Sequence, residues 1–244
     1  MTDAEVGLKG LMLKVDGLSF SYKSLKHGHV QVLDGIDLEV RRGEFVSLLG
    51  PSGCGKSTFF SILSGKLPKS PGSTVHMPEM CSYMPQKDLL LPWRSTIGNA
   101  VLGTDLSGGD VASARLDAMR LIPVFGLSGF EEYLPSDLSG GMRQRVALLR
   151  TVMQKRRFLI LDEPLGALDA LTRRQMQRWL LEVKTELGLT VLMSTHDIYE
   201  ACFLSDVVYV LSSRPARVVA RIEPEKAGRD KAYELVAKAL GADD

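Results

Sequence analysis

The chain has 244 residues, 45% of them apolar or aromatic, which is enough to bury a sizeable core and excludes a disordered chain. Thirty Lys and Arg against 29 Asp and Glu leave a net charge of +1, so nothing global draws it to nucleic acid or acidic lipid, and any charged partner must be met locally. The longest apolar runs, such as Phe158 to Leu161 and Val207 to Leu211, fall far short of the roughly 20 residues that a membrane-crossing helix needs.

The first ten residues, MTDAEVGLKG, lack a basic start running into an apolar stretch; no secretory signal is expected, and the cytoplasm is the default location. Leu11 to Tyr22 and Val30 to Val40 read as strands separated by a loop, Lys23 to His29, in which His27 and His29 suit a solvated turn better than a metal site. Phe45 to Leu49 is a buried strand ending in glycines, followed by a helix from Ser57 to Leu63. Lys66 to Met80 is irregular, and Ser82 to Met84 is a further short strand. From there to Phe158 the pattern is helical, with helices predicted over Asp110 to Phe125 and over Ser139 to Gln154, Ser139 serving as N-cap.

After that insertion come strand Phe158 to Leu161, helix Ala170 to Leu187, strand Val191 to Ser194 and helix Ile198 to Phe203. Strands Val207 to Leu211 and Val218 to Ile222 and a terminal helix, Arg229 to Leu240, complete the chain. This alternation predicts an α/β domain with a largely parallel sheet, without internal repeats or long linkers. Cys54, Cys81 and Cys202 are odd in number and widely spaced, which suggests neither a disulfide framework nor a zinc site.

Three segments carry chemistry. Gly50-Pro51-Ser52-Gly53-Cys54-Gly55-Lys56-Ser57 fits G-x-x-x-x-G-K-[ST] between a strand and a helix. Its glycines let successive backbone N–H groups turn toward phosphate oxygens, and the helix N-terminus adds its positive dipole end. In that pattern Lys56 reaches the β- and γ-phosphates and Ser57 ligates Mg²⁺, while Cys54 is most simply a small filler. Phe158 to Leu161 runs straight into Asp162 and Glu163, where one carboxylate can hold Mg²⁺ through its water shell and its neighbour can orient a water. Leu138-Ser139-Gly140-Gly141-Met-Arg-Gln-Arg145 presents a capped helix start left bare by two glycines, a second anion cradle.

Taken together and in this order, LSGGMRQR, the loop from Gly50 to Ser57 and the acids at Asp162 and Glu163 resemble the motif series of ABC ATPases, over roughly Leu11 to Pro215. The resemblance implies a P-loop NTPase (RecA-like) core, residues 1–87 and 158–244, with an antiparallel β subdomain and an inserted α-helical subdomain over residues 88–157. It implies that Tyr22 stacks on adenine, that Thr58 joins the nucleotide-binding loop, that Gln86 touches Mg²⁺ and senses the γ-phosphate, that Asp169 lies at a dimer contact, and that His196 holds the γ-phosphate and the attacking water. Glu163 would polarise that water, with Lys56 and Mg²⁺ offsetting the developing charge.

The family further implies a head-to-tail pair of ATPase subunits, each ATP held by the Gly50 to Ser57 loop of one and by Ser139, Gly140 and Gly141 of the other. It also implies separate transmembrane permease subunits, an extracytoplasmic solute-binding protein acting through them, no nucleic acid, and a place on the cytoplasmic face of the cell membrane. Leu89-Leu-Leu-Pro-Trp93, just after Gln86, is the expected permease contact, since three leucines and a tryptophan in a loop are costly to expose; folding back into the helical subdomain is the alternative for the leucines. Gln86 to Arg94 and Leu211-Ser-Ser-Arg-Pro215 also resemble ATPases of importers for nitrate, sulfonates, taurine and thiamine-pyrimidine precursors. An ABC-type ATPase of DNA repair or of an assembly factor is the rival reading, and it lacks the long coiled coils, zinc modules or second phosphate loop common in those classes. Lys155-Arg-Arg157 reads most simply as a solvated basic turn, with an anionic-lipid contact as the sharper alternative.

Overall fold

A computed structural model describes residues 10–24 and 28–241; the N-terminal stretch before Gly10 and His27, on which two of the expectations above rest, lie outside the described residues. In chain order the strands are β1 (Leu11–Ser24), β2 (Gly28–Arg41), β3 (Phe45–Leu49), β4 (Thr74–His76), β5 (Ser82–Met84), β6 (Phe158–Asp162), β7 (Thr190–Thr195), β8 (Val207–Leu211) and β9 (Val218–Ile222). The helices are α1 (Lys56–Leu63), α2 (Thr96–Ala100), α3 (Leu102–Leu106), α4 (Val111–Leu121), α5 (Gly140–Val152), α6 (Ala170–Glu186), α7 (Ile198–Leu204), α8 (Pro224–Ala227) and α9 (Arg229–Ala239). The chain separates into two compact units, Met1–Met80 with Thr190–Asp244, and Cys81–Leu189.

In the first unit, β1 lies between β2 and β4 in an antiparallel sheet, with Val15 opposite Leu38 on one side and Val75 on the other. Leu11, Met12, Leu13 and Val15 are all buried, with Lys14 less so, and one of the register shifts along β1 falls between Val15 and Leu18 at Gly17, whose φ of +64° is what a bulge of this kind asks of glycine. The predicted loop from Lys23 to His29 is tighter than expected, because Lys23 pairs with His29 and Ser24 with Gly28. The irregular stretch from Lys66 to Met80 also contains β4, too short at three residues to show a period.

The same unit holds β3 between β7 and β8, all parallel, with β9 antiparallel on the far edge of β8. Every residue of β3, β7 and β8 is buried, which is why these strands read as continuous apolar runs. The polar exceptions are Ser47 in β3 and Thr190, Ser194 and Thr195 in β7; Ser47 is accommodated by accepting a hydrogen bond from Ser205 at 2.6 Å. Helix α9 sets Ala232 and Val236 into a cluster with Leu49, Val208 and Val210.

In the second unit, β5 and β6 pair in parallel, Ser82 opposite Leu159 and Met84 opposite Leu161, and all other regular elements described between Gln86 and Phe158 are helical. Helix α4 stops at Leu121, short of the predicted Phe125: Ile122 keeps helical angles, but Pro123 has no N–H with which to continue the hydrogen-bond ladder. Helix α5 ends at Val152, and Lys155 at φ +57° turns the chain toward β6. Helices α5 and α6 meet around Trp179, whose indole N–H donates to Val124 O at 3.0 Å while Phe125 packs edge-on at 5.4 Å and Arg145 lies over the ring at 5.0 Å. Among the described residues no helix is long and apolar enough to cross a membrane.

Candidate nucleotide site

The loop between β3 and α1 is shaped by close packing at both ends. A Cβ on Gly50 would lie 3.0 Å from Cys54 Sγ and from Leu211 Cβ, and one on Gly55 would lie 2.9 Å from side-chain carbons of Val32 and Leu33. Gly55 also sits at φ +136°, a conformation open to glycine alone. Cys54 is buried, so its thiol serves packing beneath Gly50, while Pro51, Ser52 and Gly53 are exposed. With Gly55 as N-cap, no side chain caps α1, so its first-turn N–H groups face outward as donors for an anion.

Lys56 is buried and donates to Gly50 O at 2.8 Å and Pro51 O at 3.2 Å, which holds its ammonium against the loop it belongs to. Ser57 is exposed on the first turn of α1. Thr58 follows, its hydroxyl 3.3 Å from the Tyr22 hydroxyl. Tyr22 keeps 42% of its surface exposed and rests its ring edge-on against Phe20, a presented aromatic face rather than a core one.

His196 is exposed just past the end of β7 in the same unit, and the turn carrying it is braced by groups that the sequence reading passed over. Thr195 O accepts the Gly50 N–H at 3.4 Å, and the Thr195 hydroxyl donates to the buried Glu200 at 2.5 Å while accepting the Asp197 N–H at 3.1 Å. Asp197 caps α7 through Glu200 N at 3.0 Å. Asp197 and Glu200 stand at capping-box spacing, a legible signal; here, however, the glutamate takes the threonine hydroxyl, so it ties the His196 turn to the start of the phosphate loop.

In the second unit Asp162 closes β6, 2% exposed, and accepts a hydrogen bond from the Tyr83 hydroxyl at 3.3 Å. Burial, then the neighbouring Asp162 carboxylate, push the Tyr83 phenol above its ordinary range, so it stays a neutral donor wherever the protein is folded and active. Glu163, next along, sits at φ +43°, unusual for a residue with a side chain, and accepts from Gln86 Nε2 at 3.1 Å. Two residues expected in separate roles are thus in direct contact.

Ser139 is exposed and caps α5 by accepting the Met142 N–H at 3.3 Å. Gly140 is half-buried, and Gly141 is buried, with a Cβ there 3.0 Å from Thr172 Cγ2, so a side chain at that position would press on α6. Asp169 caps α6, accepting from Leu171 N and Thr172 N, and its bonds with Thr172 hold the carboxyl below its ordinary range. The loop after Gln86 divides: Leu90 is buried, whereas Leu89 and Trp93 are 57% and 73% exposed. Asn99 bonds Leu91, Arg94 and Ser95 carbonyls and Arg150 bonds Asp88 and Leu89 carbonyls, so Trp93 is held outward on a braced loop.

A family profile described as ABC transporter matches residues 33–166. The chain is 38% identical to the taurine import ATP-binding protein TauB of Yersinia pestis bv. Antiqua, over 86% of this chain and 84% of that one. It is 41% identical to the aliphatic sulfonates import ATP-binding protein SsuB 1 of Pseudomonas syringae pv. syringae, over 85% and 86%. Among solved structures, the dimeric structure of a bacterial ABC transporter cassette superposes with a TM-score of 0.75 at 25% identity, covering 87% of this chain and 99% of that one. With its glycine-shaped phosphate loop and its signature helix, this chain belongs to the ABC transporter family as one of its ATP-binding subunits.

Proposed function

We propose that this chain is the ATP-hydrolysing subunit of an importer for a small sulfonate or a similar solute, in the range from nitrate and taurine to pyrimidine-type precursors. The observation that supports it is the likeness of 38% and 41% to taurine and aliphatic sulfonate import subunits over more than four fifths of both chains. A DNA-repair or assembly role has no such support among these relatives.

In this reading Tyr22 presents its ring to adenine, and the loop from Gly50 to Thr58 takes the phosphates, the uncapped start of α1 supplying N–H donors and Lys56 exchanging loop carbonyls for phosphate oxygens. Ser57 in the first unit, and Asp162 with Gln86 in the second, each offer a hard oxygen of the kind that would hold Mg²⁺, an ion that usually binds through one or two protein groups plus phosphates and water. Bound there, Mg²⁺ supplies charge neutralisation at the phosphate oxygens. Glu163 accepts the proton of the attacking water and His196 holds the γ-phosphate side of that water. Ser139, Gly140 and Gly141 approach the nucleotide of a second copy, Asp169 lies at that contact, and loss of the γ-phosphate reopens the pair.

Trp93, held outward, is the contact for a transmembrane permease at the cytoplasmic face of the membrane, fed from outside by a solute-binding protein. Reconstitution with the permease pair tests this: ATP-dependent uptake of taurine or an alkyl sulfonate into vesicles is expected, and absence of uptake for every solute class named here removes the reading. In the same vesicles Trp93→Ala should leave basal hydrolysis within about twofold and reduce uptake at least tenfold, a loss in the range of an interface hot spot. Uptake at the original level would move the docking contact elsewhere.

A further inference from the structure

We infer that Arg214, outside the nucleotide-binding motifs, is a positioning residue of the phosphate loop. This rests on the reading of Gly50 to Thr58 as the ATP site and deepens it. The guanidinium Nη2 of Arg214 donates to Gly53 O at 2.6 Å, a short charge-assisted bond to the backbone of the loop's outermost glycine. Gly53 sits at φ +75°, a backbone conformation that favours glycine. The peptide is planar and trans, so fixing the Gly53 carbonyl on one side fixes the Cys54 N–H on the other. That N–H now makes only a long bond to Pro51 O, 3.3 Å, and so remains available to a stronger acceptor such as a phosphate oxygen.

Arg214 can act this way because its own turn is anchored. Ser212 N donates to Arg217 O at 3.0 Å, which closes the turn that follows β8. Beyond Arg214, Ala216 N donates to Val32 O at 2.8 Å and Ala216 O accepts from Asp34 N at 2.9 Å, while the Arg217 guanidinium bonds the Asp34 carboxylate. Val32 is one of the two residues against which Gly55 packs, so one strap meets the phosphate loop at Gly53 through Arg214 and at Gly55 through Val32. None of the residues assigned to nucleotide chemistry supplies this outward anchor.

The test is MgATP affinity and turnover of the purified chain carrying Arg214→Ala, Arg214→Lys or Lys56→Ala, with thermal melting as the check on folding. Arg214→Ala should weaken ATP binding and raise KM about tenfold, leave kcat within twofold and leave melting unchanged, the guanidinium being exposed. Arg214→Lys, which can still donate to the carbonyl, should recover to within about threefold of the wild type. The loss in Arg214→Ala should persist at 0.5 M salt, because it comes from loop geometry; a loss that disappears there is charge steering and overturns the inference. Affinity within twofold of wild type for Arg214→Ala, with Lys56→Ala binding abolished, overturns the inference and keeps the ATP-site reading; unchanged binding in both variants removes that reading as well.

Discussion

Glu163→Gln is expected to keep ATP affinity within about threefold while cutting turnover by about 10²- to 10⁴-fold, the usual worth of a positioned general base. Glutamine has the same length, can hold the same left-handed backbone, and its amide oxygen can still accept from Gln86, so what is lost is the capacity to take a proton. Because ATP then persists, a second consequence follows: with Mg²⁺ and ATP the variant should run as a dimer on size exclusion, while the wild type exchanges. Steady-state hydrolysis near the wild-type rate would remove Glu163 from the role of base, and a variant that stays monomeric under saturating MgATP would count against the head-to-tail pair.

Gly55→Ala should be a severely damaging single-methyl change. Its Cβ would meet Val32 and Leu33 side chains at 2.9 Å and the Val32 carbonyl at 3.3 Å, on a backbone at φ +136°. Left-handed strain of about 1–3 kcal/mol and overpacking of about 1–3 kcal/mol together predict a loss of roughly 2–6 kcal/mol in urea unfolding, with ATP binding lost in whatever remains folded. Gly188→Ala is the matched control, having a positive φ of +59° with nothing within 4 Å of the added methyl, so only backbone strain applies and a loss of about 1 kcal/mol is expected. Equal losses in the two variants would mean that packing against β2 contributes nothing.

The strands buried on both faces, β3, β6, β7 and β8, were legible because their apolar runs have nothing to alternate with. So was the N-cap at Ser139, since a capping serine followed by glycines announces a helix start. The five-residue helices α2 and α3 and strand β4 were not, because none is long enough to repeat its period twice. The phosphate loop, the signature and the two acids were visible because their chemistry demands residue types at fixed spacing. Tyr83 was not, because it acts through a partner distant in sequence; Glu200 stands at capping-box spacing and Arg214 lies in Leu211-Ser-Ser-Arg-Pro215, but their bonds to the Thr195 hydroxyl and the Gly53 carbonyl have no pattern of their own.

Glu163 is also the place where folding and work pull in opposite directions. A glycine there would sit comfortably in the left-handed region, so Glu163→Gly is expected to melt at a higher temperature than the natural chain while turning over no ATP. A search for heat-tolerant variants that never assays hydrolysis would therefore discard the residue we propose as the general base.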